Sequence, residues 1–322
     1  MKIKFYLNLA LIIIICFLII DKPKYQASGE VIFQAQQTQI KTYGNFINLN
    51  EKSYVNNALF ATNSAKLFDQ IGARSALALD VNSKQVLFSK NSQELLYPAS
   101  TTKIITALVA RDLYQLTDEF TITAKDLVYG NNIGWQAGEK VNFSALLRAL
   151  LIASSNESGL ILANNAPGGY NSFIQLMNDK AKNLGLKNSH FSNPQGFDDQ
   201  RQKTTVHDLA LVSLELLRDK ELAQIVATHQ TQIANLNGKL YNIKNTNRLF
   251  DLDLPFIIKG VKTGTTSLAN EALVTLIEKD GRQILLVVLS AKNRYNDTIS
   301  LINFIFENYI WQKPISLLSP NL

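Results

Sequence analysis

The sequence predicts a single α+β unit whose sheet is drawn from both ends of the chain. Three observations carry this. Short apolar runs at 76–79 and 86–88 flank the polar stretch Asp80-Val81-Asn82-Ser83-Lys84, as in a hairpin. The middle of the chain is helical in pattern. Near the end two more strand-like runs, 271–277 and 283–289, bracket Asp280-Gly281, a strong two-residue turn signal. Strands, then helices, then strands, then a helix is an α+β order.

The elements follow in sequence. After Pro98, residues 100–113 read as a helix, and 146–163 as one longer apolar helix. Residues 173–184 form a third, closed by Gly185, and 206–217 a fourth. Residues 299–309 close the chain as an amphipathic helix. Residues 25–70 are polar, rich in Asn, Gln, Ser and Lys, and read as a stalk or linker; 71–315 is then the catalytic-sized domain. No internal repeat or low-complexity tract is present.

The first 24 residues read as an export signal or membrane anchor. Lys2 and Lys4 precede a 16-residue stretch, 5–20, broken only by Asn8. As a helix it would reach about 24 Å, a little under the roughly 30 Å of a bilayer core. No good small-x-small cleavage site follows, since bulky Tyr25 stands beside Gln26-Ala27-Ser28, so an uncleaved anchor is favoured over a cleaved signal. Ile15 before the single cysteine, Cys16, argues against a lipoprotein.

Composition narrows the chemistry. With 46% apolar and 18% charged residues the chain can bury a core and is not a disordered polymer. Four lysines of the net +6 lie in the N-terminal segment, and the remaining excess is too small and scattered for a nucleic-acid groove. One cysteine in the apolar run leaves the rest of the chain without disulfide, CxxC site or thiol nucleophile. His190, His207 and His229 are read as packing residues rather than members of a Ser-His-Asp triad, and no H-E-x-x-H spacing suggests a metal; neither metal nor cofactor is expected. Gly168-Gly169 is a loop, and Trp135 and Trp311 are read as packing residues, although Trp135 lies in a loop that could border a site.

Three short motifs carry the chemistry. Pro98-Ala99-Ser100-Thr101-Thr102-Lys103 is an S-x-x-K: on a helix start Lys103 lies one turn beyond Ser100 on the same face. A serine hydroxyl is a weak nucleophile until a base takes its proton, and a lysine can be that base if burial and a nearby cation lower its pKa. Ser154-Ser155-Asn156 is an S-x-N whose hydroxyl could relay a proton and whose amide could hold a substrate backbone. Lys262-Thr263-Gly264, just before a strand-like region, could bind a carboxylate through lysine and hydroxyl, with Gly264 permitting close backbone approach. Each is commonplace alone. In this order, with roughly fifty and then a hundred residues between, they form the trio of penicillin-binding proteins and class A β-lactamases.

On these residues the chain resembles the low-molecular-mass D-alanyl-D-alanine carboxypeptidases, the S11 serine peptidases, over roughly 75–309. Gly138-Glu139, Leu176-Met177-Asn178, Asn193-Pro194-Gln195-Gly196, Asp208-Leu209-Ala210 and Asn245-Thr246-Asn247-Arg248-Leu249 match too. The resemblance implies a serine β-lactamase/DD-peptidase-like fold: an antiparallel sheet flanked by helices, with an all-helical subdomain. It implies that Ser100 is acylated by the penultimate D-Ala of a peptidoglycan stem peptide, that Lys103 is the general base, and that Ser154 and Lys262 complete a proton relay. It implies that Asn156 orients the substrate amide, that the N–H groups of Ser100 and Thr265 form the oxyanion hole, and that Thr263 and Arg294, placed before the closing helix, hold the terminal carboxylate. β-Lactam antibiotics would be covalent inhibitors, and the enzyme would work outside the cytoplasmic membrane.

Two positions depart from the family: Gln195 stands where His is frequent, and His207 where Arg is frequent. The best-known members add a C-terminal β domain and an amphipathic tail anchor, whereas few residues follow 309 here, so tethering falls to the N-terminal segment. The competing readings are a β-lactamase, a DD-endopeptidase, and a non-catalytic wall-binding module. Class A β-lactamases need a further deacylating glutamate; between Ser158 and Lys262 only Glu215 and Glu221 occur, both on helical stretches. The intact Ser100, Lys103 and Lys262 argue against a binding module.

Overall fold

The computed structural model describes Ser64 and residues 66–311. The anchor expected at 1–24 and most of the expected stalk lie outside these residues. Among the described residues no helix is long and apolar enough to cross a membrane.

A five-stranded antiparallel sheet is the frame. Its order is β2-β1-β9-β8-β7, formed by β1 (Ser75–Asp80), β2 (Val86–Lys90), β7 (Ile257–Thr266), β8 (Asn270–Lys279) and β9 (Arg282–Ala291). The pairing of β1 with β9 brings the two ends of the domain together, as the strand-helix-strand order predicted. Asp280 and Gly281 both take positive φ between β8 and β9, which the Asp-Gly turn requires. Two small hairpins, β3 (Glu119–Thr121) with β4 (Lys140–Asn142) and β5 (Gln230–Ala234) with β6 (Leu240–Lys244), stand apart from this sheet.

Alternation along the strands makes two cores. Leu77, Leu79, Leu285, Val287 and Leu289 face the helical body, while Ala76, Ala78, Leu286 and Val288 face the closing helix α7 (Arg294–Asn308) through Leu301, Ile302, Phe304 and Ile305. The helical body contains α1 (Lys103–Leu113), α2 (Phe143–Leu151), α3 (Asn156–Asn164), α4 (Gly169–Asn183), α5 (Val206–Arg218) and α6 (Lys220–Val226). The α+β class with helices flanking an antiparallel sheet therefore holds.

Three local expectations are corrected. The apolar run 146–163 is two helices, not one, because Ser154 takes φ +60 and the side chain of Ser155 caps α3 by accepting from the Ser158 N–H at 3.1 Å. Lys262-Thr263-Gly264 lies inside strand β7, not before a strand. Arg294 is the first residue of α7, not a residue ahead of it. Trp135 packs as expected, buried edge-on against Tyr241 in the core.

Candidate active site

The three motifs meet where the helical body abuts the free edge of the sheet. Ala99–Thr102 form a 3-10 turn leading into α1. Three residues per turn eclipse positions i and i+3, so Lys103 sits directly over Ser100, and its Nζ lies 2.9 Å from the Ser100 Oγ. The same Nζ donates to Asn156 Oδ1 at 2.8 Å and to the Gln195 carbonyl at 2.7 Å. Asn156 is held in turn, its Nδ2 donating to the Tyr129 carbonyl at 3.2 Å.

This surrounding suits an uncharged amine. A neutral lysine has two N–H donors and one lone pair; the two carbonyl oxygens take the donors, and the serine hydroxyl can donate to the lone pair. Complete burial of Lys103 pushes its pKa well below the ordinary lysine value, and the nearby Lys262 lowers it further. Lys262 is buried as well and is lowered to about 7, first by burial and then by the Arg294 charge. Its Nζ donates to the Thr263 carbonyl at 3.0 Å.

Backbone geometry is tight around the serine. Ala99, just before it, takes φ +48, and Ser154 takes φ +60, both in the left-handed region that non-glycine residues seldom adopt. A Cβ on Gly264 would stand 2.8 Å from the Ser100 nitrogen, and one on Gly196 would stand 1.9 Å from the Ala99 carbonyl oxygen. Both glycines let backbone press against the nucleophile turn. β7 is the edge strand, so one side of its backbone is not used by the sheet.

The far wall is cationic and hydroxyl-rich. Arg294 donates through one terminal guanidinium nitrogen to the Gly264 carbonyl at 2.7 Å, to Thr265 Oγ1 at 2.8 Å and to the Ala272 carbonyl at 3.3 Å. It is aimed at β7 and is not a surface arginine. Thr263 shares a 2.6 Å hydroxyl contact with Thr246. The Ser154 Oγ is buried with no hydrogen-bond partner among the described residues. All nine residues singled out in the sequence are gathered here, except that the buried Lys262 amine is turned onto its own strand.

Comparison with known proteins agrees with this geometry. The sequence model of the family described as D-alanyl-D-alanine carboxypeptidase, Peptidase S11, matches residues 60–293. The chain belongs to the S11 peptidase family. D-alanyl-D-alanine carboxypeptidase DacF of Bacillus subtilis is 31% identical over 74% of this chain and 63% of its own length. A D-alanyl-D-alanine endopeptidase of Escherichia coli is 30% identical over 70% of this chain and 74% of its own. The crystal structure of the Streptomyces K15 DD-transpeptidase superposes with a TM-score of 0.69 at 26% identity, covering 74% of this chain and 98% of that one. The chain spans less than two thirds of the carboxypeptidases it matches first, 63% and 66% of their lengths.

Two parts of this S11 site have no signature in side-chain chemistry. The Gln195 carbonyl that accepts from Lys103 is a backbone atom, so the replacement of the family's frequent His by Gln leaves that bond intact. Thr246 lies in Asn245-Thr246-Asn247, a stretch matched to the family but given no role from sequence; only the fold brings it under Thr263.

Proposed function

We propose that this chain is a serine-type D-Ala-D-Ala carboxypeptidase that trims the terminal D-Ala from peptidoglycan stem peptides through an acyl-enzyme on Ser100. The observation that carries the reading is the buried Lys103 amine, 2.9 Å from the Ser100 hydroxyl and with its pKa lowered toward the uncharged form.

Lys103 takes the Ser100 proton as Oγ attacks the carbonyl carbon of the penultimate D-Ala. The carbonyl π bond opens to an oxyanion held by the N–H groups of Ser100 and Thr265. Collapse of the adduct re-forms the carbonyl and breaks the amide bond. Free D-Ala leaves as its amine receives, through the Ser154 hydroxyl, the proton that Lys103 took from Ser100, with the Lys262 amine turning from the Thr263 carbonyl to complete the relay. Water then attacks the ester carbon as Lys103, neutral again, takes its proton; the bond from the acyl carbon to Ser100 Oγ breaks, the shortened peptide leaves as a carboxylic acid, and Lys103 returns the proton to Oγ. Asn156 orients the substrate amide, while Thr263 and Arg294 hold the terminal carboxylate. A β-lactam would enter the same sequence and stop at the acyl-enzyme. Residues 71–315 form the catalytic domain, 25–70 the stalk, and 1–24 tether the chain at the extracytoplasmic face of the cytoplasmic membrane, supported by the lysine-led apolar run.

The test is incubation of the protein with a pentapeptide ending in D-Ala-D-Ala. Release of one D-Ala, absent in Ser100→Ala, is expected, together with a long-lived penicillin adduct on Ser100. Rapid multiple-turnover penicillin clearance would make it a β-lactamase. Cleavage of cross-linked dimers without D-Ala release from pentapeptide would make it an endopeptidase, and no cleavage of either would make it a binding module.

A further inference from the structure

The loop Asn193–Asp198 touches both walls of the site, and its two attachments differ in kind. Toward the nucleophile it is fastened several times over. Lys103 donates to the Gln195 carbonyl at 2.7 Å, and Thr106 Oγ1 donates to the Pro194 carbonyl at 2.8 Å. Gly196 is pressed onto the Ala99 carbonyl so closely that no Cβ would fit. The loop is also stiffened from within: Asn193 Oδ1 accepts from the N–H groups of Gly196 and Phe197 at 2.8 and 2.9 Å.

Toward the sheet, among the described residues, its hydrogen bonds come from one side chain. Asp198 Oδ1 accepts from Thr266 Oγ1 at 2.5 Å, and Oδ2 accepts from the Leu268 N–H at 3.1 Å. Thr266 is the last residue of β7, next to Thr265, and its hydroxyl also accepts from the Ala269 N–H at 3.1 Å, closing the turn into β8. The carboxylate therefore joins the end of β7 to a loop that is itself fixed on Lys103 and the Ser100 turn.

Resting on the site reading above, we infer that Asp198 is a positioning residue: it latches the Asn193–Asp198 loop to the end of β7 and so sets the distance between the Ser100 nucleophile and the Thr265 N–H. It touches no reacting atom. If Thr263 holds the terminal carboxylate, the acyl portion of the substrate lies toward Thr266, beside the latch. Exposed hydrogen bonds of this kind contribute little to global stability. A displacement of the order of 1 Å between nucleophile and oxyanion donor, in contrast, slows reaction by about 100-fold.

The experiment measures acylation of the full chain by a fluorescent penicillin, resolved into the dissociation constant of the encounter complex and the first-order acylation constant, beside thermal unfolding. The variants are Asp198→Ala, Asp198→Asn and Thr266→Val. Asp198→Ala is expected to lower the first-order constant at least 10-fold with the dissociation constant within about twofold and the unfolding midpoint nearly unchanged. Asp198→Asn, which keeps an acceptor for the Thr266 hydroxyl, recovers part of the rate. Adding Thr266→Val to Asp198→Ala costs less than the single changes would sum to. An unchanged first-order constant in Asp198→Ala overturns the latch, as does a lower unfolding midpoint with normal acylation. Wild-type protein that never acylates at Ser100 overturns the site reading instead, so the two failures are distinguishable.

Discussion

Gly264 offers a sharp perturbation, because its backbone is not in a glycine-only conformation and an alanine there would act by contact alone. The added Cβ would stand 2.8 Å from the Ser100 nitrogen, 2.9 Å from the Ala99 Cβ and 3.2 Å from the Pro98 carbonyl oxygen. Ordinary contact begins near 3.4 Å, so β7 and the nucleophile turn must separate by about 0.6 Å. Neither side yields easily: the turn is fixed by Pro98 and by Lys103, and β7 by its pairing with β8. Overpacking of this size costs about 1–3 kcal/mol. A shift approaching 1 Å between the Ser100 nucleophile and the oxyanion donors slows chemistry by about 10- to 100-fold. The assay is the second-order rate of Ser100 acylation by a fluorescent penicillin, with thermal unfolding run on the same preparations. Gly264→Ala that melts cooperatively and acylates within twofold of wild type would refute the reasoning, since it would show that the strand need not lie so close.

Other outcomes follow from the same geometry. Ser154→Ala should leave the unfolding midpoint unchanged or slightly raised, because the hydroxyl it removes is buried without a partner among the described residues, yet it should slow D-Ala release by about 10- to 100-fold through the lost proton relay. Lysines 103 and 262 both have lowered pKa values, so the folded protein binds fewer protons than the unfolded chain between the lowered and ordinary values. Stability therefore rises with pH in that window, and Lys262→Met should raise the stability at pH 7 more than at pH 10; the Lys262 contribution changes by up to about 1.4 kcal/mol per pH unit, read from denaturant midpoints. A gain independent of pH would mean that Lys262 is charged in the fold. Arg294→Ala removes the guanidinium charge that, after burial, lowers the Lys262 amine, so the Lys262 titration should move upward from about 7, followed by ε-carbon NMR.

How far the sequence reaches depends on whether a feature is local. Asp280-Gly281 and the alternating runs beside it specify the β8–β9 hairpin without help, because turn chemistry and period-2 patterning are both short-range. S-x-x-K is legible for the same reason: three residues span one turn of helix. β7 is not legible, because Gly260, Lys262 and Gly264 dilute its apolar pattern and its burial comes from the helical body. The break at Ser154 is hidden inside an unbroken apolar run and is imposed by packing: the Ser155 N–H donates to the Ala149 carbonyl and the Asn156 N–H to the Asn131 carbonyl. The Gln195 carbonyl and the Thr246 hydroxyl cannot be read from residue type at all, since a backbone oxygen and a commonplace threonine become functional only through contacts across 92 and 17 residues.

The account depends on the protonation state of one amine, and that state can be observed. The ε-carbon resonance of Lys103 in isotopically labelled protein, assigned by its loss in Lys103→Met, reports the charge on Nζ. The account predicts a titration well below the ordinary lysine value near 10.5, with the resonance in the neutral-amine position while surface lysines are still ammonium. A Lys103 signal that remains in the ammonium position until pH 10 would contradict it.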